Sequence, residues 1–143
     1  MSFRDTFERM KRTGDFSGLQ EAVPYARFMG ISIAEQEGRL VTAMAYAETL
    51  IGNTALPALH GGTIAALLEL AALFQIAYEI DTPAMPKTIT ITIDYMRSGA
   101  ARDTFARARA TRIGRRVANV RAEAWQDDPD RPIAAANVNF LLA

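Results

Sequence analysis

Two features of this 143-residue sequence could do chemistry, and they lie nine residues apart. The first is His60-Gly61-Gly62, followed by a long apolar stretch. Paired glycines at a helix start leave backbone N–H groups open, and the helix dipole there favours negative charge. A carbonyl oxygen becoming an oxyanion carries such a charge, and one well-placed donor contributes about 3–4 kcal/mol to a transition state. The second feature is Glu69, an acid inside that apolar stretch. On a helical wheel its neighbours are Gly62, Ala65, Ala66, Ala72, Leu73 and Ile76, whereas Gln75 and Glu79 lie on other faces. A carboxylate among small apolar groups is costly to bury unless it is paired or its proton affinity rises, and proteins keep such groups mostly for function.

Taken singly, each feature has a plainer use. A lone glutamate on an apolar helix can reach solvent or accept a core hydrogen bond. A lone histidine at a helix start can be a cap, and two glycines can be a tight turn. Their combination, open amides at a helix start followed by a carboxylate within the helix, favours a catalytic reading over these plain ones.

These groups must be positioned by a long helix over residues 61–80, apolar nearly all round and hence buried on most sides. Gly52, Asn53 and Pro57 mark residues 48–59 as a loop leading into it, and Asp81, Pro83 and Pro86 end it. Before the loop, residues 31–36 and 40–46 read as two strands joined by Glu37-Gly38-Arg39. After the helix, Ile89, Ile91, Ile93 and Tyr95 alternate with Thr88, Thr90, Thr92 and Asp94, the period of a strand. Residues 105–112, 117–125 and 133–142 predict three more strands between polar turns. Ala106, Ala108 and Ala110, then Ala118, Ala122 and Ala124, give two of them a small face on which the helix can lie. At the N-terminus, Phe3, Phe7 and Met10 recur at helical spacing, and Asp15, Ser17 and Gly18 break that helix. Pro24 opens a helical turn over residues 24–29 that Gly30 ends. The expected organisation is one domain over residues 1–143, with residues 1–30 as an N-terminal helical extension.

Composition excludes several other chemistries. Sixteen basic and sixteen acidic residues cancel, so no overall field favours nucleic acid or an anionic membrane. With no cysteine, the chain has no disulfide, no zinc–thiolate site and no cysteine nucleophile, and one histidine cannot supply a two-histidine metal site. No metal is expected. The N-terminal segment mixes Arg4, Arg9, Lys11 and Arg12 with Asp5 and Glu8 and has no apolar signal core. The longest apolar run, residues 63–80, is interrupted by Glu69, Gln75 and Glu79. A cytoplasmic protein is expected.

Asn53, His60-Gly61-Gly62 and Glu69 resemble the signature of hotdog-fold thioesterases, and of the PaaI-like acyl-CoA thioesterases in particular, relatives of the 4-hydroxybenzoyl-CoA thioesterases. Residues 91–97 and 113–118 are similar to the strand and hairpin that follow the helix in that family, so the likeness runs from about residue 24 onward. It implies an α+β hotdog fold, a curved antiparallel sheet wrapped around a long central helix. It also implies hydrolysis of an acyl-CoA thioester to free acid and coenzyme A, with no cofactor beyond the substrate's own coenzyme A. In that pattern the Gly61 amide would polarise the thioester carbonyl, and Asn53 and His60 would order the loop. Glu69 would be nucleophile or general base, and Thr88 would hold the attacking water. Apart from the resemblance, Gly62 and Leu73 are candidates for substrate contact, and Arg97, Arg115 and Arg116, basic residues in turns, are candidates for the coenzyme A phosphates. Tyr25 and Phe28 are further candidates for the acyl pocket.

One distance bears on assembly. Gly61 and Glu69 are about 12 Å apart along a single helix, too far for both to reach one thioester carbon. Two helices packed antiparallel would bring Gly61 of one subunit to Glu69 of another. The resemblance implies the same, a double-hotdog dimer with two interfacial sites, often paired again as a tetramer. Two other functions fit the same fold. A hydratase or dehydratase on acyl thioesters would pair histidine and acid in other local motifs, and a non-catalytic acyl-CoA binding module would need no reactive carboxylate.

Overall fold

A computed structural model of the chain describes residues 2–81 and 84–142. Pro83, one of the expected helix-ending residues, lies outside them.

The chain opens with helix α1 (Phe3–Thr13), begun by a reciprocal Ser2–Asp5 capping box and closed by Gly14 in the left-handed conformation. Two short helices follow, α2 (Leu19–Ala22) and the expected α3 (Pro24–Met29), which Gly30 ends. The four residues of α2 are too few to carry a readable period, so it has no counterpart in the sequence pattern. Strands β1 (Ile31–Gln36) and β2 (Arg39–Met44) form the expected hairpin. Its turn is tighter than expected. Glu37 and Gly38 both take positive φ, 53° and 79°, the twist that a two-residue connection requires, so Arg39 already pairs with Gln36.

Residues 48–59, expected to be a plain loop, contain a 3-10 turn (Glu48–Leu50) and a small hairpin, β3 (Ile51–Asn53) and β4 (Ala58–Leu59). Strands this short leave no alternation to recognise. The long helix α4 (Gly61–Glu79) comes next. Four strands complete the chain: β5 (Lys87–Tyr95), β6 (Thr104–Ile113), β7 (Val117–Trp125) and β8 (Ala134–Leu141).

The main sheet has six strands in the order β1-β2-β6-β7-β8-β5, all neighbours antiparallel. Helix α4 packs on β6, β7, β2 and β8. By length and composition alone α4 could cross a membrane. Here Leu67, Leu68, Ala71, Phe74 and Ile76 are buried in the core of the fold. The expected alanine face is real and wider than the sequence suggested. Ala106, Ala124 and Ala134 form one row across three strands, and Ala108, Ala122 and Ala136 form the next. All six are buried, and Val120, Val138 and Phe140 fill the space further along the sheet. Ala110, at the far end of the β6 face, is only partly buried.

The N-terminal helices are tied to this core. Phe7 of α1 stacks on Phe74 of α4 at 6.0 Å between ring centres. The Lys11 ammonium donates to the carbonyls of Ala77 and Ile80, at 3.3 and 3.1 Å, where a cation suits the helix dipole. Gln75, fully buried, accepts a hydrogen bond from the Leu40 N–H at 2.9 Å and so pins α4 to β2.

Among the described residues, two surfaces stay uncovered. On α4, Ala65, Ala66, Glu69, Leu70 and Leu73 form a half-exposed stripe that the sheet does not reach. Strand β5 is a sheet edge, and its expected alternation holds only in its middle: Ile91 and Ile93 pack partly buried against the core between exposed Thr90, Thr92 and Asp94, while Ile89 is 52 % exposed and Tyr95 54 %. The opposite edge, β1, is flanked by α2 and α3.

Candidate active site

The β3–β4 hairpin presents His60 to the start of α4. The His60 N–H donates to the Leu50 carbonyl at 2.8 Å, and the Leu59 N–H donates to that of Gly99 at 2.9 Å. Gly52 backs directly onto His60. Asn53 accepts at Oδ1 from the N–H groups of Ala55 and Leu56, at 3.0 and 3.4 Å, which folds the tip of the hairpin into an Asx turn. Its side chain thus orders the loop.

His60 is the N-cap of α4, and its Nδ1 accepts from the Gly62 N–H at 2.8 Å. An acceptor Nδ1 places the proton of the neutral ring on Nε2. The His60 carbonyl is occupied as well, taking the Thr63 N–H at 2.9 Å and the Thr63 hydroxyl at 2.6 Å. The Gly61 carbonyl accepts from the Tyr95 hydroxyl at 2.8 Å. Every polar backbone group around Gly61 therefore has a partner except one. The Gly61 N–H has none among the described residues, and it sits at the positive end of a 19-residue helix. A cleft of about 380 Å³ opens there, lined by Leu59, Gly61, Ile64, Tyr95, Arg97 and Gly99 among others.

The two glycines have separate reasons. A Cβ on Gly62 would meet His60 Nδ1 at 2.9 Å, and one on Gly61 would meet the Tyr95 hydroxyl at 3.3 Å and its ring at 3.4 Å. One glycine admits the imidazole, the other the phenol.

Glu69 lies two turns further along α4, part-exposed on the uncovered stripe. Among the described residues its carboxylate makes no hydrogen bond or ion pair. Leu73, one turn beyond, is half-buried on the same stripe. No three carboxylate or imidazole groups converge as a metal site would need among the described residues.

The remaining candidates divide by position. Arg97 lines the cleft beside Gly61, and its guanidinium donates to the Pro132 carbonyl at 2.6 Å. Thr88 lies at the other end of β5 from Tyr95, about 23 Å away at the usual strand rise. Arg115 and Arg116 form the β6–β7 turn at that same far end, about 27 Å from the cleft by the length of β7. Within one subunit these three and Glu69 do not meet Gly61. Tyr25 and Phe28 stack on each other at 6.2 Å on the exposed side of α3. Sequence reasoning passed over Tyr95, Thr63 and Gly52 as site residues. Thr63 had a readable signal, three residues after the cap, but no local pattern connects Tyr95 to a carbonyl 34 residues earlier.

A six-stranded antiparallel sheet laid on one long helix, with an amide-rich helix start opening into a cleft, defines the hotdog class. Residues 56–133 match the thioesterase superfamily, more than half of the chain. The chain belongs to that superfamily, whose chemistry is thioester hydrolysis. A crystal structure of a protein from Chromobacterium violaceum is 34 % identical, with 97 % of each chain covered and a TM-score of 0.80. A phenylacetic acid degradation-related protein from Ralstonia eutropha JMP134 is 24 % identical over 94 % of this chain and 98 % of that one, with a TM-score of 0.79. The PaaI protein of the E. coli phenylacetic acid degradation operon is 20 % identical over 88 % of each chain, with a TM-score of 0.74. At those identities the last two likenesses are of fold. No curated protein matches the chain.

Proposed function

We propose that this chain is an acyl-coenzyme A thioesterase that acts as a homodimer, with each site shared between subunits. Gly61 of one protomer donates its N–H to the thioester oxygen, and Glu69 of the other supplies the attack. Glu69 either adds to the carbonyl itself or takes a proton from the water that does. By the first route the C–S bond breaks to leave a mixed anhydride, which water then hydrolyses to restore Glu69; by either route a proton reaches the sulfur, coenzyme A leaves as the thiol, and the free acid is the coproduct.

The observation that carries this reading is the pairing of one unengaged amide with one unengaged carboxylate on the same helix. They are too far apart to serve one carbonyl alone, and the carboxylate sits on a face the subunit leaves bare. The edge of β5 and the small residues beside Glu69 support a second copy as what covers that face. A bare nine-residue edge is a ready template for another strand. Antiparallel docking of two copies there would bring the Thr88 end of one subunit toward the Tyr95 end of the other.

The test is thiol release over a panel of aromatic, branched and medium-chain acyl-CoAs. Glu69→Ala and Glu69→Gln are expected to lower turnover by about a hundredfold or more, as for the loss of a principal base or nucleophile. Near-normal turnover in a folded variant would reject Glu69.

A further inference from the structure

We infer that Tyr95 is a positioning residue for the reaction: its hydroxyl fixes the direction in which the Gly61 N–H points. The inference rests on the reading of Gly61 as the carbonyl donor and deepens it.

Glycine has two soft torsions and no side chain to restrain them, so a glycine N–H is a poor catalyst unless its neighbours hold it. Here both flanking peptide planes are held. The plane before Gly61 is fixed at its carbonyl, which takes two donors from Thr63. The plane after it is fixed at both ends, the carbonyl by the Tyr95 hydroxyl and the N–H by His60 Nδ1, each at 2.8 Å. The carbonyl also takes the Ala65 N–H of the first helical turn, so removing the Tyr95 contact leaves it to that single bond at the fraying end of the helix, and the Gly61 torsions gain freedom.

Tyr95 is well built for this. It is the last residue of β5, and its backbone is held in the sheet opposite Ala134, so the phenol is aimed from a rigid element. The ring lies against Gly61 at the distance where a Cβ would begin to crowd it. The hydroxyl proton is spent on the Gly61 carbonyl, so the group acts through the amide and not on substrate. A strand threaded 34 residues after the helix start thus sets the geometry of that start. A donor fixed before the charge develops needs no reorganisation during reaction, which is the source of its rate effect.

Tyr95→Phe keeps the ring over Gly61 and removes only the O–H. Steady-state kinetics on one good acyl-CoA substrate, with melting temperatures alongside, test the role. The expected result is a kcat lower by about tenfold with KM within about twofold, as for a displaced donor rather than a lost binding contact. The melting temperature should stay within about 2 °C, since one exposed hydrogen bond contributes little to stability. In 15N-labelled protein the Gly62 amide, in the same peptide plane and bonded to His60 Nδ1, should exchange its hydrogen faster than in wild type. A kcat within twofold of wild type overturns the role. So does a loss of kcat accompanied by a matching rise in KM or by a melting point lower by more than about 5 °C, which would make Tyr95 merely structural. A wild-type enzyme that releases no thiol from any acyl-CoA refutes the reading of Gly61, and the inference falls with it. An active wild type with an indifferent Tyr95→Phe variant refutes Tyr95 alone.

Discussion

Gly52 and His60 approach so closely across the β3–β4 hairpin that a Cβ on Gly52 would lie 2.7 Å from the His60 Cα and 2.9 Å from its Cβ. Both atoms belong to the rigid part of His60, so a rotamer change relieves neither. Gly52→Ala is therefore expected to push His60 off the start of α4, costing about 1–3 kcal/mol of stability. Turnover should fall by about tenfold or more as the Gly62 cap is lost. Urea melts and thiol release on the same preparation check both. Unchanged turnover would separate the hairpin from the site.

Shared sites make a prediction about mixtures. Gly61→Pro deletes the free N–H and suits the first position of a helix, and His60 already has the extended backbone that precedes proline, φ −64° and ψ 132°. The added Cβ asks the Tyr95 side chain, 3.3–3.4 Å away, to give by a few tenths of an ångström. Gly61→Pro and Glu69→Gln should each be inactive alone. Co-refolded in equal amounts, they should recover about one quarter of wild-type activity, because half the dimers are mixed and each mixed dimer rebuilds one of two sites. A mixture as inactive as its parents would place both groups of a site in one chain.

The exposed edge of β5 predicts where the copies meet. Ile89, half-exposed on that strand, should tolerate Lys within the subunit, while a buried charge at a strand–strand contact would block pairing. Ile89→Lys is expected to sediment as a monomer and to lose thioesterase activity in proportion. A fully dimeric, active variant would move the interface elsewhere.

Gln75 separates stability from catalysis. Gln75→Leu preserves volume but strands the buried Leu40 N–H, which should cost about 1–3 kcal/mol. The substitution lies away from the cleft, so kcat and KM should hold within twofold. A variant as stable as wild type would show that Leu40 finds another partner.

Much of this architecture can be read from residue order alone. The helix α4 was legible because apolar residues run without a polar face between Gly61 and the Asp81 region, and β7 because its alternation is unbroken over residues 118–124. The Glu37-Gly38 turn was legible too, though its two positive φ values, which place Arg39 inside the strand, were not. What escaped was of two physical kinds. Elements of two to four residues, such as β4 and α2, are set by their surroundings and have no period of their own. Long-range contacts such as Tyr95 to Gly61 depend on how the sheet returns to the helix. In the site, residue type marked His60, Gly61 and Glu69 as unusual for where they stand. It could not show that Thr88, Arg115 and Arg116 lie at the opposite end of their own sheet from the cleft.

The two alanine rows under α4 set a limit on how such a molecule can change its tastes. Their first row ends at Ala134, opposite Tyr95, so a larger group at Ala124 or Ala134 has nowhere to go but upward into the helix. Lifting α4 there would carry its first amide out of alignment before it made any new room for an acyl chain. On the proposed reading, selectivity would drift along the bare helix stripe around Leu73 and in the loops at the mouth. The sheet beneath stays fixed, holding the reactive geometry constant while the substrate list varies.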